Sequence, residues 1–224
     1  MPIDRVDSFN FLGLQLNHDL KWSKHKQHIA LKLSKTLGLL NRLKHEYPQT
    51  ILRTLYNTLI LPHLNYCILA WGSEVEDIIK IQKRALRIIS NSKFKSHTEP
   101  ICKTLNLLKV QNIYQLAIFK FYFKLINDGL PHYFDNFIPT FSVGSAHYNL
   151  RNPCRLLPNI KHEFPRQSLR YKLIVTLNEA SKCTIDNAKI LPINQYTFGI
   201  KKSMIDNYNH ICEIPNCYIC QKYN

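Results

Sequence analysis

The residues best suited to hold a metal lie near the end of the chain, in His210-Ile-Cys212-Glu-Ile-Pro-Asn-Cys217-Tyr-Ile-Cys220. Three thiolates and an imidazole complete a tetrahedral zinc shell, and Cys217-x-x-Cys220 has a chelating interval. His210 precedes the cysteines, whereas a zinc knuckle places its histidine between them. The competing reading is therefore a loop of free thiols. A redox Cys-x-x-Cys is the poorer reading, because no strand-then-helix context surrounds the pair.

Acid chemistry has one candidate cluster, Glu74, Glu76 and Asp77. Ser73-x-x-Glu76 reads as a capping box, which would place these acids in a helical first turn, where the dipole favours negative charge. Capping explains them without a metal. The sequence has no Gly-rich phosphate loop, no G-x-S-x-G, no H-E-x-x-H and no adjacent Asp pair.

The basic residues are more informative. Lys80, Lys83, Arg84 and Arg87 share one helical face, and Lys24, Lys35 and Arg42 share another. Such faces hold phosphates through charge-assisted contacts that carry no base information, or they are simply solvated. Lys and Arg total 30 against 15 Asp and Glu, a net charge of +15 that favours a polyanionic partner. Eleven Phe and twelve Tyr raise base stacking as a second contact type. Most of them, such as Phe119, Phe121 and Phe123, sit in apolar helical contexts and read as core. Tyr148 and Arg151, in His147-Tyr-Asn-Leu-Arg151, form the most credible surface contact.

The elements that position these groups are mainly helical. Phe9–Leu16 reads as one apolar strand, with both faces expected to be covered and its partner expected upstream. A helix spans Ser23–His45, with Trp22, Ile29, Leu33, Leu37 and Leu40 on one stripe. The next covers Gln49–Ile60 on a row of Ile51, Leu55 and Leu59, and Pro62 bends or restarts it. His63–Trp71 reads as interior. The capping box opens a helix to about Asn91 with Val75, Ile78, Ala85 and Ile89 inward. Thr98-Glu99-Pro100 starts a short helix in the same manner. Gln111–Asn127 is apolar nearly all round and central, ended by a left-handed Gly129, with Pro131 preventing restart. Beyond it, helices are expected near Ser168–Ser181 and Phe198–Tyr208. The organisation read from these elements is a β element at 1–20, a helical bundle at 21–130, and an irregular, α-containing region at 131–224.

Polar residues interrupt the apolar stretch Ile51–Trp71, so no membrane span is expected. Asp4, Arg5 and Asp7 interrupt any signal peptide, and the seven cysteines read as reduced thiols of an intracellular protein, nuclear or cytoplasmic.

Several phrases, taken together and in order, resemble reverse transcriptases of non-LTR retrotransposons (LINEs), especially the jockey-like group. FLGLQLNHDLKWSKH matches the segment after the catalytic palm, where an aromatic residue, Leu-Gly and an apolar strand precede Leu-x-Trp-x-x-His. LGLLNRL, LRTLYNTLILPHLNYCILAWG, IQKRALRII, Thr98-Glu99-Pro100 and Leu130-Pro131 with Phe134 continue the match. HYNLRNP, SLRYKLIVTLNEA, Phe198-Gly-Ile-Lys201-Lys202 and the closing cysteines resemble the family's C-terminal region. No single phrase is specific; their succession is.

The resemblance implies a polymerase thumb and C-terminal extension. Phe11, Leu12 and Gly13 would belong to the primer-grip hairpin at the palm–thumb junction, with residues 1–20 a remnant of the palm edge. Residues 21–130 would be thumb, holding the RNA and DNA of a template–primer duplex by the backbone. The cysteine tail would serve nucleic-acid binding, with zinc if its unusual spacing allows. The family's Asp pair, which holds two magnesium ions, would lie upstream of Phe9. Two-metal phosphoryl transfer needs those carboxylates, so this chain is expected to be an RNA-directed DNA polymerase fragment without polymerase activity or a cofactor of its own. The alternatives are a non-enzymatic helical module that binds nucleic acid or protein, and a transposable-element remnant without function.

Overall fold

The computed structural model describes residues 6–127, 129–137, 157–158, 161 and 166–208. They are mainly helical, preceded by a short two-stranded antiparallel sheet. Strands β1 (Ser8–Phe11) and β2 (Leu14–Asn17) lead into α1 (Ser23–Leu43), α2 (Gln49–Leu59), α3 (Leu61–Asn65), α4 (Ile68–Trp71) and α5 (Glu76–Ile89). Then come α6 (Thr98–Leu105), α7 (Val110–Ile126) and a 3-10 turn at His132–Phe137. Helices α8 (Leu169–Glu179), α9 (Lys182–Ile190) and α10 (Ile193–Asp206) complete the described elements. They fall into two compact units, one within Met1–Ile113 and Met204–Asn224, the other within Tyr114–Ser203.

The apolar stretch at Phe9–Leu16 is not one strand awaiting a partner. It folds on itself, with Phe9 opposite Leu16 and Phe11 opposite Leu14. Leu12 and Gly13 form the two-residue turn with φ of 48° and 82°, the positive values that twist a tight hairpin correctly. The two faces are not both covered: β2 packs on α1, while Phe9 and Phe11 remain more than half exposed, at 58% and 53%. The Tyr66 hydroxyl donates to the Leu12 carbonyl and ties the turn to the helices.

The first unit is built around α1 and α5, which pack together, with α2 against both and α6 against α5. Ile29, Leu33, Leu37 and Leu40 bury α1, as their spacing requires. Trp22 leaves that stripe; it caps α1 in a left-handed conformation. On α2 the buried row is Leu52, Tyr56 and Ile60, continued by Leu64 of α3. It lies one residue beyond the expected Ile51, Leu55 and Leu59, of which Ile51 and Leu59 are exposed. Tyr56 is inward because its hydroxyl finds a partner there. Pro62 does restart the chain, in the first turn of α3. Between His63 and Trp71 only Leu64, Ile68 and Trp71 are buried; Tyr66 and Cys67 are exposed.

Helix α5 starts at Glu76, capped by Val75 without a side-chain bond, so Ser73 is not its cap. Val75 is buried and fixes the entry. Helix α6 likewise has no side-chain cap.

In the second unit, α7 buries Ile118, Phe119, Phe121, Tyr122 and Leu125. Gly129 is not left-handed. Its N–H reaches the Lys124 carbonyl at 2.8 Å, and a Cβ there would sit 3.3 Å from that oxygen. Helix α7 ends at Ile126, well before Pro131, and a 3-10 turn follows Pro131 at once. Ser168 caps α8 by accepting from Tyr171 N–H. Helix α9 was not anticipated; Ser181 caps it through Thr184 N–H. No described helix is long and apolar enough to cross a membrane.

Candidate nucleic-acid interface

Inward anchors set the outward faces. Gln82, on the buried side of α5, donates from Nε2 to the Tyr56 hydroxyl (2.8 Å) and the Leu108 carbonyl (2.9 Å). Its Oε1 accepts from Val110 N–H at 2.8 Å. One side chain thus joins α5 to α2 and to the start of α7, and fixes the rotation of α5. Burial drives the Tyr56 phenol well above its ordinary range, so it stays a neutral donor and acceptor.

With Gln82 inward, Lys80, Lys83 and Arg84 are exposed and Arg87 is half-buried at one edge. The four differ in availability. Lys80 pairs with Asp77 at 3.0 Å in a fully solvated contact, worth little and easily exchanged. Arg87 donates from Nε to the Ser96 carbonyl at 2.9 Å. Burial lowers its pKa, but a guanidinium remains charged. Among the described residues, Lys83 and Arg84 have no ion-pair partner.

A second row runs along α1. Lys24, Lys35 and Arg42 are all exposed. Their separations bring them onto one line along the helix, and Lys24 and Arg42 stand about 27 Å apart at the α-helical rise. They cannot meet on one phosphate, but they can follow a strand. Lys24 donates to Ser8 Oγ at 3.0 Å, linking the row to the hairpin. Helices α1 and α5 pack through their apolar sides, so each turns its cations outward.

The expected acids do not form a catalytic cluster. Glu76 and Asp77 occupy the first turn of α5, and Glu74 accepts from Lys26 at 3.4 Å. No group of three or more metal-ligating side chains exists among the described residues. His210, Cys212, Cys217, Cys220, Tyr148 and Arg151 lie outside the described residues, and so does any geometry for zinc or stacking there.

Sequence reasoning missed His25. It is buried on the α1 stripe, and its Nδ1 accepts from Gln15 N–H at 3.4 Å. Its ring meets Trp22 and Trp71 edge-on, with centroids 6.3 and 5.7 Å away. Leu-x-Trp-x-x-His thus has a structural role in fastening the hairpin to the bundle. Phe11, Leu12 and Gly13 lie at the hairpin's tip, with Leu12 75% exposed.

A cleft of about 450 Å³ opens beside the α5 face. Lys83 and Arg87 line it together with Lys95, Glu99 and Lys109. Lys109 pairs with Glu99, and its ammonium lies over the Tyr208 ring, 4.8 Å from the centroid. Lys95 and Lys109 come from separate segments, so no single helical period would have grouped them with α5.

No protein-family model, curated protein or solved structure matches this chain.

Proposed function

We propose that the chain is the primer-grip and thumb part of an RNA-directed DNA polymerase of non-LTR retrotransposon type. Its own residues contribute sequence-tolerant binding to the backbone of a template–primer duplex. The observation that carries the reading is the outward face of α5, where Lys83 and Arg84 have no acid partner among the described residues and stand between Lys80 and Arg87. The ordered succession of family-like phrases supports it, and so does the row on α1. Phosphate contacts fix register without reading bases. Zinc on His210, Cys212, Cys217 and Cys220 belongs to the same proposal, and metal content of protein purified without chelators tests it.

The self-contained hairpin favours a second reading, a non-enzymatic nucleic-acid-binding module, because β1 already has its partner in β2. An open reading frame that continues upstream into a strand with paired Asp residues supports the polymerase; one that does not supports the module. Binding itself is tested with two unrelated duplexes of equal length. Equal affinities are expected. A strong preference for one sequence contradicts backbone binding.

A further inference from the structure

The cleft between α5 and α6 does more than extend a basic face. A convex face offers a phosphate cations from one side. A cleft surrounds it and concentrates the potential. Lys83 and Arg87 are one turn apart on α5 and share its wall. Lys95 contributes from the segment joining α5 to α6. The carboxylate in the lining, Glu99, is held by Lys109. Lys83, Arg87 and Lys95 have no carboxylate partner among the described residues.

Arg87 is also oriented in advance. Its Nε is committed to the Ser96 carbonyl, which fixes the plane of the guanidinium and leaves its terminal nitrogens for a bidentate contact. The volume, about 450 Å³, suits a group of nucleotide size. Three uncompensated cations exceed the single charge of an internal phosphodiester. They suit a terminal phosphomonoester, which carries close to two.

We propose that this cleft is a phosphomonoester pocket that seats the 5′-phosphate end of a nucleic-acid strand, with Lys83, Arg87 and Lys95 as its cationic wall. The proposal rests on the nucleic-acid reading above and narrows it to one end of one strand.

The test compares binding of the full chain to one duplex in which one strand carries either a 5′-phosphate or a 5′-hydroxyl, by fluorescence anisotropy. The phosphorylated duplex is expected to bind about tenfold more tightly, as charge-assisted contacts of this kind allow. Lys95→Gln, at an exposed position off the α5 face, should weaken the phosphorylated duplex far more than the hydroxyl duplex and so remove most of that preference. Equal affinity for the two ends overturns the pocket and leaves backbone binding standing. Failure to bind either duplex overturns both. A free 5′-mononucleotide that binds as tightly as the phosphorylated duplex overturns the strand-end assignment.

Discussion

Arg87 Nε donates to the Ser96 carbonyl at 2.9 Å, so a cation of the α5 face also closes the chain that leaves α5. Ser96 is buried, and its carbonyl would lose a partner in Arg87→Ala. That substitution should lower stability by about 1–2 kcal/mol, the cost of an unsatisfied buried acceptor. Urea denaturation should show a lower midpoint with an unchanged slope. An unchanged midpoint would mean that the contact contributes nothing.

Gln82 has a larger role. Gln82→Ala leaves the Val110 N–H, the Leu108 carbonyl and the Tyr56 hydroxyl without this partner. A loss of about 3 kcal/mol or more is expected, against about 1 kcal/mol for Tyr56→Phe. Because the two side chains bond directly, the double variant should lose less than the sum. Additive losses would place the effect of Gln82 elsewhere.

His25 makes the fold sensitive to mild acid. Burial lowers its pKa first, and His28 and Lys32 lower it further, so folding favours the neutral ring. Protonation would also remove the Nδ1 acceptor of Gln15 N–H. The unfolded chain takes up this proton near its ordinary value, about 6.5, before the folded chain does. Stability contributed here is therefore complete above that pH and lost as pH falls below it. His63 is lowered too, again by burial first, and works in the same direction. An NMR titration should place His25 below 6.5 in the folded protein; a value at or above it would reverse the sign.

The sequence revealed the helices well where one apolar stripe met water on the other side. On α1, Ile29, Leu33, Leu37 and Leu40 allow one rotation, and the structure has it. On α2, apolar residues occur on adjacent rows, and the choice fell to Tyr56, whose hydroxyl needs Gln82. That partner is 26 residues away, so local spacing could not supply the answer. The pairing of the stretch with itself was hidden from the local pattern for a related reason. Leu12 is a poor residue for a left-handed turn, and an unbroken apolar run reads as one strand. Gly13 was the signal, and it accounts for half of the turn. Nothing in the fold explains a leucine at position 12.

The site divides in the same way. The α5 face followed from one helical period, so Lys80, Lys83, Arg84 and Arg87 were legible. Lys95 and Lys109 join it only through tertiary packing. The pairing of Lys80 with Asp77 and the commitment of Arg87 to Ser96 distinguish side chains that looked equivalent in sequence.

On the proposed function, the outward face of α5 grips a phosphate backbone. The direct measurement is the dependence of duplex affinity on salt, for the wild type and for Lys83→Gln with Arg84→Gln. Each cation that neutralises a phosphate adds about one unit to the slope of log affinity against log salt. The wild type should weaken steeply with salt, and the double variant should bind more weakly with a slope flatter by about two units. An identical slope and affinity in the variant would contradict the claim.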